Sequence, residues 1–121
     1  MNAKARPPKP KPAMSLGARP CRLAALVDYG RGAVVSRTLL RGRSGTLTLF
    51  AFDRGQGLSE HVAPFHALVQ VLEGRLDLTI GSRRVSARAG EAVLMPARIP
   101  HALHAPVRAK MLLTMLRGTA S

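Results

Sequence analysis

The sequence predicts an all-β chain, a two-sheet sandwich or barrel, on three observations. Short apolar runs recur about every ten residues and are parted by Gly- and Pro-containing turns, the spacing of small β-sandwiches and barrels. The run Leu76-Asp77-Leu78-Thr79-Ile80 alternates apolar and polar with a period of two, so its two sets of side chains face opposite ways. No segment beyond Val27 sustains a helical period with caps at its ends.

Taken in order, residues 1–20 read as a basic, Pro-rich, flexible tail and residues 21–121 as a single domain. Pro7-Pro8, Pro10 and Pro12 alternate with lysines, which favours an extended chain and offers almost nothing to bury. Residues 23–27 form one helical turn or a short strand, closed by Asp28-Tyr29-Gly30. Strands are then expected at 34–40, 46–52, 68–72, 76–80, 84–87, 92–95, 101–105 and 110–116. The last run, Lys-Met-Leu-Leu-Thr-Met-Leu, is ambiguous by pattern, and its place in a strand-only series makes it a buried strand. Leu68 and Leu72 oppose Val69 and Val71, so that strand is apolar on both faces. Its second face, like that of residues 112–116, is expected to pack against the tail-proximal segment or a second subunit, which predicts a homodimer.

Length and charge bound the function. A chain of 121 residues carries one domain with one modest core. Apolar residues make up 46% of it, too many for a disordered polymer. No apolar run nears the ~18–20 residues of a membrane span, and no apolar stretch follows the basic start as a secretory leader requires. The one cysteine, Cys21, excludes an intramolecular disulfide and a Cys-based zinc site. A soluble, cytoplasmic domain is therefore expected, with no membrane partner. The net charge is +13, but six of the cations lie in residues 1–22 with no acid among them. With no Trp, one Tyr and three Phe there is no base-stacking platform, and nucleic acid is not expected as a partner.

All four histidines fall in two short windows, His61/His66 and His101/His104, each following a Gly-bearing turn. Gly55 is followed, after five intervening residues, by His61, then Ala63, Ala67 and Gly74. Gly90 is followed by Pro96, Arg98, His101 and Ala105, and fifteen residues separate Gly74 from Gly90. With Val71-Leu72-Glu73-Gly74 and Ala89-Gly90-Glu91-Ala92, this wording resembles the two motifs of the cupin superfamily over roughly residues 45–117. The resemblance implies a double-stranded β-helix, the cupin jelly-roll barrel, with a short inter-motif spacing like that of small microbial members. It also implies that small barrels pair as homodimers. The family's usual ligands are two His and a carboxylate from the first motif and one His from the second. Here His61 and His101 stand at the first and last of those positions, with Ala63 and Ala67 at the other two. Arg98 and Ala105 replace the second motif's Gly and Asn.

The resemblance places His61 at the opening of a strand and His101 on an adjacent one, both pointing inward. Any divalent ion (Fe, Mn, Ni or Zn) on that incomplete ligand set would be weakly held. His66 is the candidate for the vacant carboxylate position. Strict alternation points it away from Ala67, so only a bulge near Pro64-Phe65 would turn it inward, and Gln70 shares its parity. By the same rule His104 faces away from His101. Met95, Met111 and Met115 read as core filler or cavity lining, Glu60 as a rim residue, and Glu73 and Glu91 as solvent-exposed. Three readings stay open for His61 and His101: leftover imidazoles, a metal site, or polar anchors for an organic ligand. The function expected is a small stand-alone barrel binding a small molecule through His61, His101, His66, Gln70 and Met95. A metal on His61, His101 and His66 would assist it; the alternative is a metal-free sensor or binding module without catalysis.

Overall fold

Two antiparallel sheets face each other across an apolar interior in the structure, a computed structural model that describes residues 16–117. The strands are β1 (Val34–Gly42), β2 (Gly45–Phe52), β3 (Gly57–His61), β4 (His66–Glu73), β5 (Arg75–Ile80), β6 (Arg83–Arg88), β7 (Ala92–Met95), β8 (His101–His104) and β9 (Ala109–Leu116). They order as β1-β2-β9-β4-β7 in the larger sheet and β3-β8-β5-β6 in the smaller. This is an all-β jelly roll. The expected flexible tail falls largely on residues 1–15, outside the described residues; residues 16–20 are exposed and carry one isolated bridge, Gly17 to Arg19.

Eight strands lie where the spacing of apolar runs and turns put them. The ninth, β3, was not expected, because Gly-Leu-Ser-Glu-His contains one apolar residue and four of its five positions are exposed. Pairing with β8 makes it a strand, so His61 closes β3 rather than opening a strand. Between β4 and β5 the chain reverses at Gly74, whose φ of +72° and close approach to the Arg108 carbonyl leave no room for a Cβ.

The larger sheet is apolar on both faces. Its inner face, with the inner face of the smaller sheet, buries Phe52, Val69, Val71, Leu76, Leu78, Ala87 and Met111 among others. Its outer face carries a second cluster in which Leu26 and Val27 pack on Leu49, Ala51 and Leu112. Leu26 belongs to a single 3-10 turn, Leu23–Leu26, so the tail-proximal segment is a strap across this sheet. Polar anchors fix it. Lys110, buried on β9, donates through Nζ to the Ala24 carbonyl at 2.6 Å, and Arg37 Nη1 donates to the Leu26 carbonyl at 2.8 Å. Both carbonyls are among those a helical turn leaves without an internal partner. Tyr29 donates its hydroxyl to Glu73 at 2.8 Å, and its ring lies under the Arg108 and Lys110 cations. Burial, together with the Glu73 carboxylate, pushes the Tyr29 hydroxyl well above its usual range, which keeps it a donor. Glu73 is thus half-buried in this network, not free in solvent as the sequence suggested. Beyond the strap, Leu40, Leu94 and Leu116 remain exposed on this face.

Candidate functional site

Strand alternation decides which histidines meet. His61 and His101 are paired across β3 and β8, and both rings turn into the barrel end. Their Nε2 atoms lie 2.9 Å apart, with the rings edge-on at 79°. His101 is buried at 3% exposure while His61 sits exposed at the rim, so the pair spans the mouth. Each Nδ1 faces a backbone carbonyl two residues earlier: Ser59 O at 2.8 Å for His61, and Ile99 O at 3.2 Å for His101.

These contacts impose a proton count. Three contacts join two rings and two carbonyls, and each needs one hydrogen. Two neutral imidazoles supply only two. The longer contact, from His101 Nδ1 to Ile99 O, is the natural one to go without. A third proton would complete the set at the cost of a charge. Burial of His101, reinforced by repulsion from His61, holds its pKa below the usual histidine value, so the site resists that charge. With both rings uncharged, the pair is one hydrogen short of satisfying all three contacts.

Behind the pair lies a cavity of about 540 Å³. Besides His61 and His101 it is lined by Phe50, Leu58, Ser59, Ala63, Phe65, Ala67, Met95, Leu103, Met111, Leu113 and Met115. None of these is an acid. Ala67 is in register with Met95 on β7 and with Met115 on β9, so a position with a minimal side chain is flanked by two thioethers. Phe50, Leu58 and Leu113 were not among the expected site residues. Leu113 shares the parity of Met111 and Met115 and could have been read from it; Phe50 and Leu58 follow only from the sheet pairing.

The remaining expected site residues are placed elsewhere. Met95 is buried and lines the cavity. Gln70, three residues after inward-facing Ala67, is exposed on the outer face of β4 and takes no part in the cavity. His66 shares that outer parity; no bulge intervenes between it and Ala67, and its Nδ1 accepts the Ala97 N–H at 3.0 Å. A ligand role for His66 and Gln70 is therefore corrected: alternation wins over proximity in sequence. His104 is exposed on the outer face of the smaller sheet. Arg98, where the second motif's Gly was expected, adopts φ +67°, a left-handed conformation, and its N–H donates to the Ala63 carbonyl at 2.8 Å, tying the two mouth loops together.

Among the described residues no group of three His, Cys, Asp or Glu side chains is placed to hold a metal. With Ala63 and Ala67 both facing the cavity, two imidazoles are all that a hard divalent ion would find, and the donor set does not fit one. No helix among the described residues is long and apolar enough to cross a membrane.

The model of the family described as Cupin domain matches residues 48–116. Among solved structures, a conserved protein of unknown function from Streptococcus pyogenes is 32% identical with a TM-score of 0.81, the match covering 87% of this chain and 92% of that one. A cupin superfamily protein from Desulfitobacterium hafniense is 26% identical with a TM-score of 0.81, covering 86% of this chain and 95% of that one. A Cupin 2 conserved barrel domain protein from Leptotrichia buccalis is 34% identical with a TM-score of 0.76; the match takes in 78% of this chain but 46% of that longer one. No curated protein matches.

Proposed function

The chain belongs to the cupin domain family, and from that membership we propose that it binds a small, largely apolar molecule in the hollow end of its barrel, without a resident divalent ion. The fold alone does not select this activity, since one fold hosts many. The observation that carries it is the His61–His101 pair, whose three contacts need one hydrogen more than two uncharged rings supply, at the mouth of an otherwise apolar cavity. A ligand that presents a hydroxyl or N–H between the two Nε2 atoms supplies the missing hydrogen without a charge. Its apolar body then fills the space over Ala63 and Ala67. A divalent ion would take the same two nitrogens and complete its shell with water, weakly held and easily lost.

A fluorescence titration with anilinonaphthalene sulfonate as an apolar probe tests this. The wild-type chain is expected to bind one probe per barrel, and Ala67→Leu, which fills the cavity, to weaken binding at least tenfold. No binding, or binding indifferent to Ala67→Leu, overturns the reading. The exposed Leu40, Leu94 and Leu116 support a second proposal, pairing of two copies through the part of the outer face that the strap leaves bare. A monomer mass by light scattering at micromolar concentration would refute it.

A further inference from the structure

We propose that the hollow end of the barrel is a site for a soft monovalent cation, copper(I), held by Nε2 of His61 and of His101 and by the thioethers of Met95 and Met115. The proposal rests on the reading above only in requiring that the cavity admit an occupant. Its starting point is what the cavity offers as donors. Two imidazole nitrogens and the methionine sulfurs are present, and no carboxylate is. Every one of these donors is neutral, so the charge of the filled site equals the charge of the ion. The cost of stripping water from an ion grows with the square of its charge, which sets a divalent ion at a fourfold disadvantage in such surroundings. Softness points the same way. Thioether and imidazole together suit copper(I), whereas manganese, calcium and magnesium seek oxygen.

Register brings the donors together. Met95 and Met115 are the two cross-strand partners of Ala67, whose side chain ends at Cβ, so nothing larger stands between the sulfur-bearing chains on that row. Ala67 lines the same cavity as His61 and His101. The position at which the family's carboxylate is absent is thus the position that two methionines flank. Methionine has three rotatable bonds beyond its backbone, so its sulfur can swing toward an ion that enters. The imidazoles need little movement: a tetrahedral ion about 2.0–2.1 Å from each nitrogen holds them roughly 3.3 Å apart, against 2.9 Å here. The ion also supplies the electrophile that the pair lacks, and leaves both Nδ1–H groups free to donate to the Ser59 and Ile99 carbonyls.

The test uses the full-length chain carrying Cys21→Ser, because the exposed Cys21 thiol is itself a copper(I) ligand. Copper(I) is titrated in competition with bicinchoninate, and the probe titration is run in parallel. The expected result is one tightly held copper(I) per barrel, a loss of at least tenfold in affinity for Met95→Leu with Met115→Leu, and a similar loss for His101→Ala. The melting temperature should stay close to the parent's in the methionine variant, since Leu conserves the volume. X-ray absorption of the loaded protein should show sulfur at about 2.3 Å. An unchanged copper affinity in the methionine variant, or a shell of nitrogen and oxygen alone, overturns the proposal. Probe binding without stoichiometric copper(I) binding overturns it and leaves the small-molecule reading standing; loss of both removes both.

Discussion

At the end of the barrel built by the start of β5 and the end of β4, Val71, Leu76, Ala87, Ala105 and Ala109 are buried to 2% exposure or less, and the inner faces of the two sheets meet directly. At the other end, where β3 pairs with β8, the same two faces part around a cavity of about 540 Å³. The same strands run through both ends, so the difference lies in side chains. Alanines stand at both ends, but at the filled end Ala87, Ala105 and Ala109 are packed with Val71 and Leu76, whereas Ala63 and Ala67 line open space. Volume is withheld where the His61 and His101 rings face inward. The fold is stabilised at one end and kept available at the other, as expected where function draws on space that packing would otherwise take.

The sharpest way to break this comparison is to create space at the wrong end. Leu76→Ala should cost about 2–5 kcal/mol in urea unfolding, as fully buried leucines do, whereas Met95→Leu at the cavity should cost under about 1.5 kcal/mol. Comparable losses at the two ends would mean that the cavity is not tolerated space. Next in size is a gain of function: Ala63→His with Ala67→Glu rebuilds a four-donor site, and calorimetry should show divalent-metal affinity rising by about two orders of magnitude or more. Lys110→Ala should cost about 1–3 kcal/mol, because it leaves the Ala24 carbonyl and the strap without their donor. A smaller effect follows from pH. The pKa of His101 is depressed in the folded state, so below about 6.5 the unfolded chain binds more protons. Stability should therefore be intact above that pH and fall as the pH drops through the folded value, with the slope flattened by His101→Ala. Asp53, held at about 2 chiefly by the Gly32 N–H and then by the Arg108 guanidinium, loses its contribution only below about pH 5, so the His101 slope is read above that pH. Least of all, His104→Ala should leave probe binding unchanged.

Much of this was legible because the relevant signal has a period of two. The spacing of apolar runs and turns located eight strands, and alternation separated His104 from His101. It also warned against His66 and Gln70, whose candidacy came from nearness in sequence and not from parity. What alternation could not show was β3, whose exposed residues carry no apolar beat, or the left-handed Arg98, which only the loop geometry demands. It did call for a cover on the second face of β4, the tail-proximal segment being one of the two expected, but not for what fixes the strap there. The burial of Lys110 depends on a carbonyl 86 positions away in the chain, and no local pattern marks a lysine for that role. The closeness of the two Nε2 atoms likewise arises from pairing between strands 40 residues apart.

The position of β9 has a kinetic consequence. It is the last strand in chain order among the described residues, yet it lies in the centre of the larger sheet, hydrogen-bonded to β2 on one side and β4 on the other. While the chain is being synthesised, β2 and β4 therefore wait with open inner edges, and the strap has neither Lys110 to hold it nor Leu112 to pack on. Contacts between distant segments are slow to form, and unpaired edges invite pairing with another chain. The strand order therefore predicts a late, concerted closure rather than a strand-by-strand accumulation. A ribosome stalled after β8 should expose a chain that proteases cut readily, and release of the eight further residues of β9 should protect it all at once.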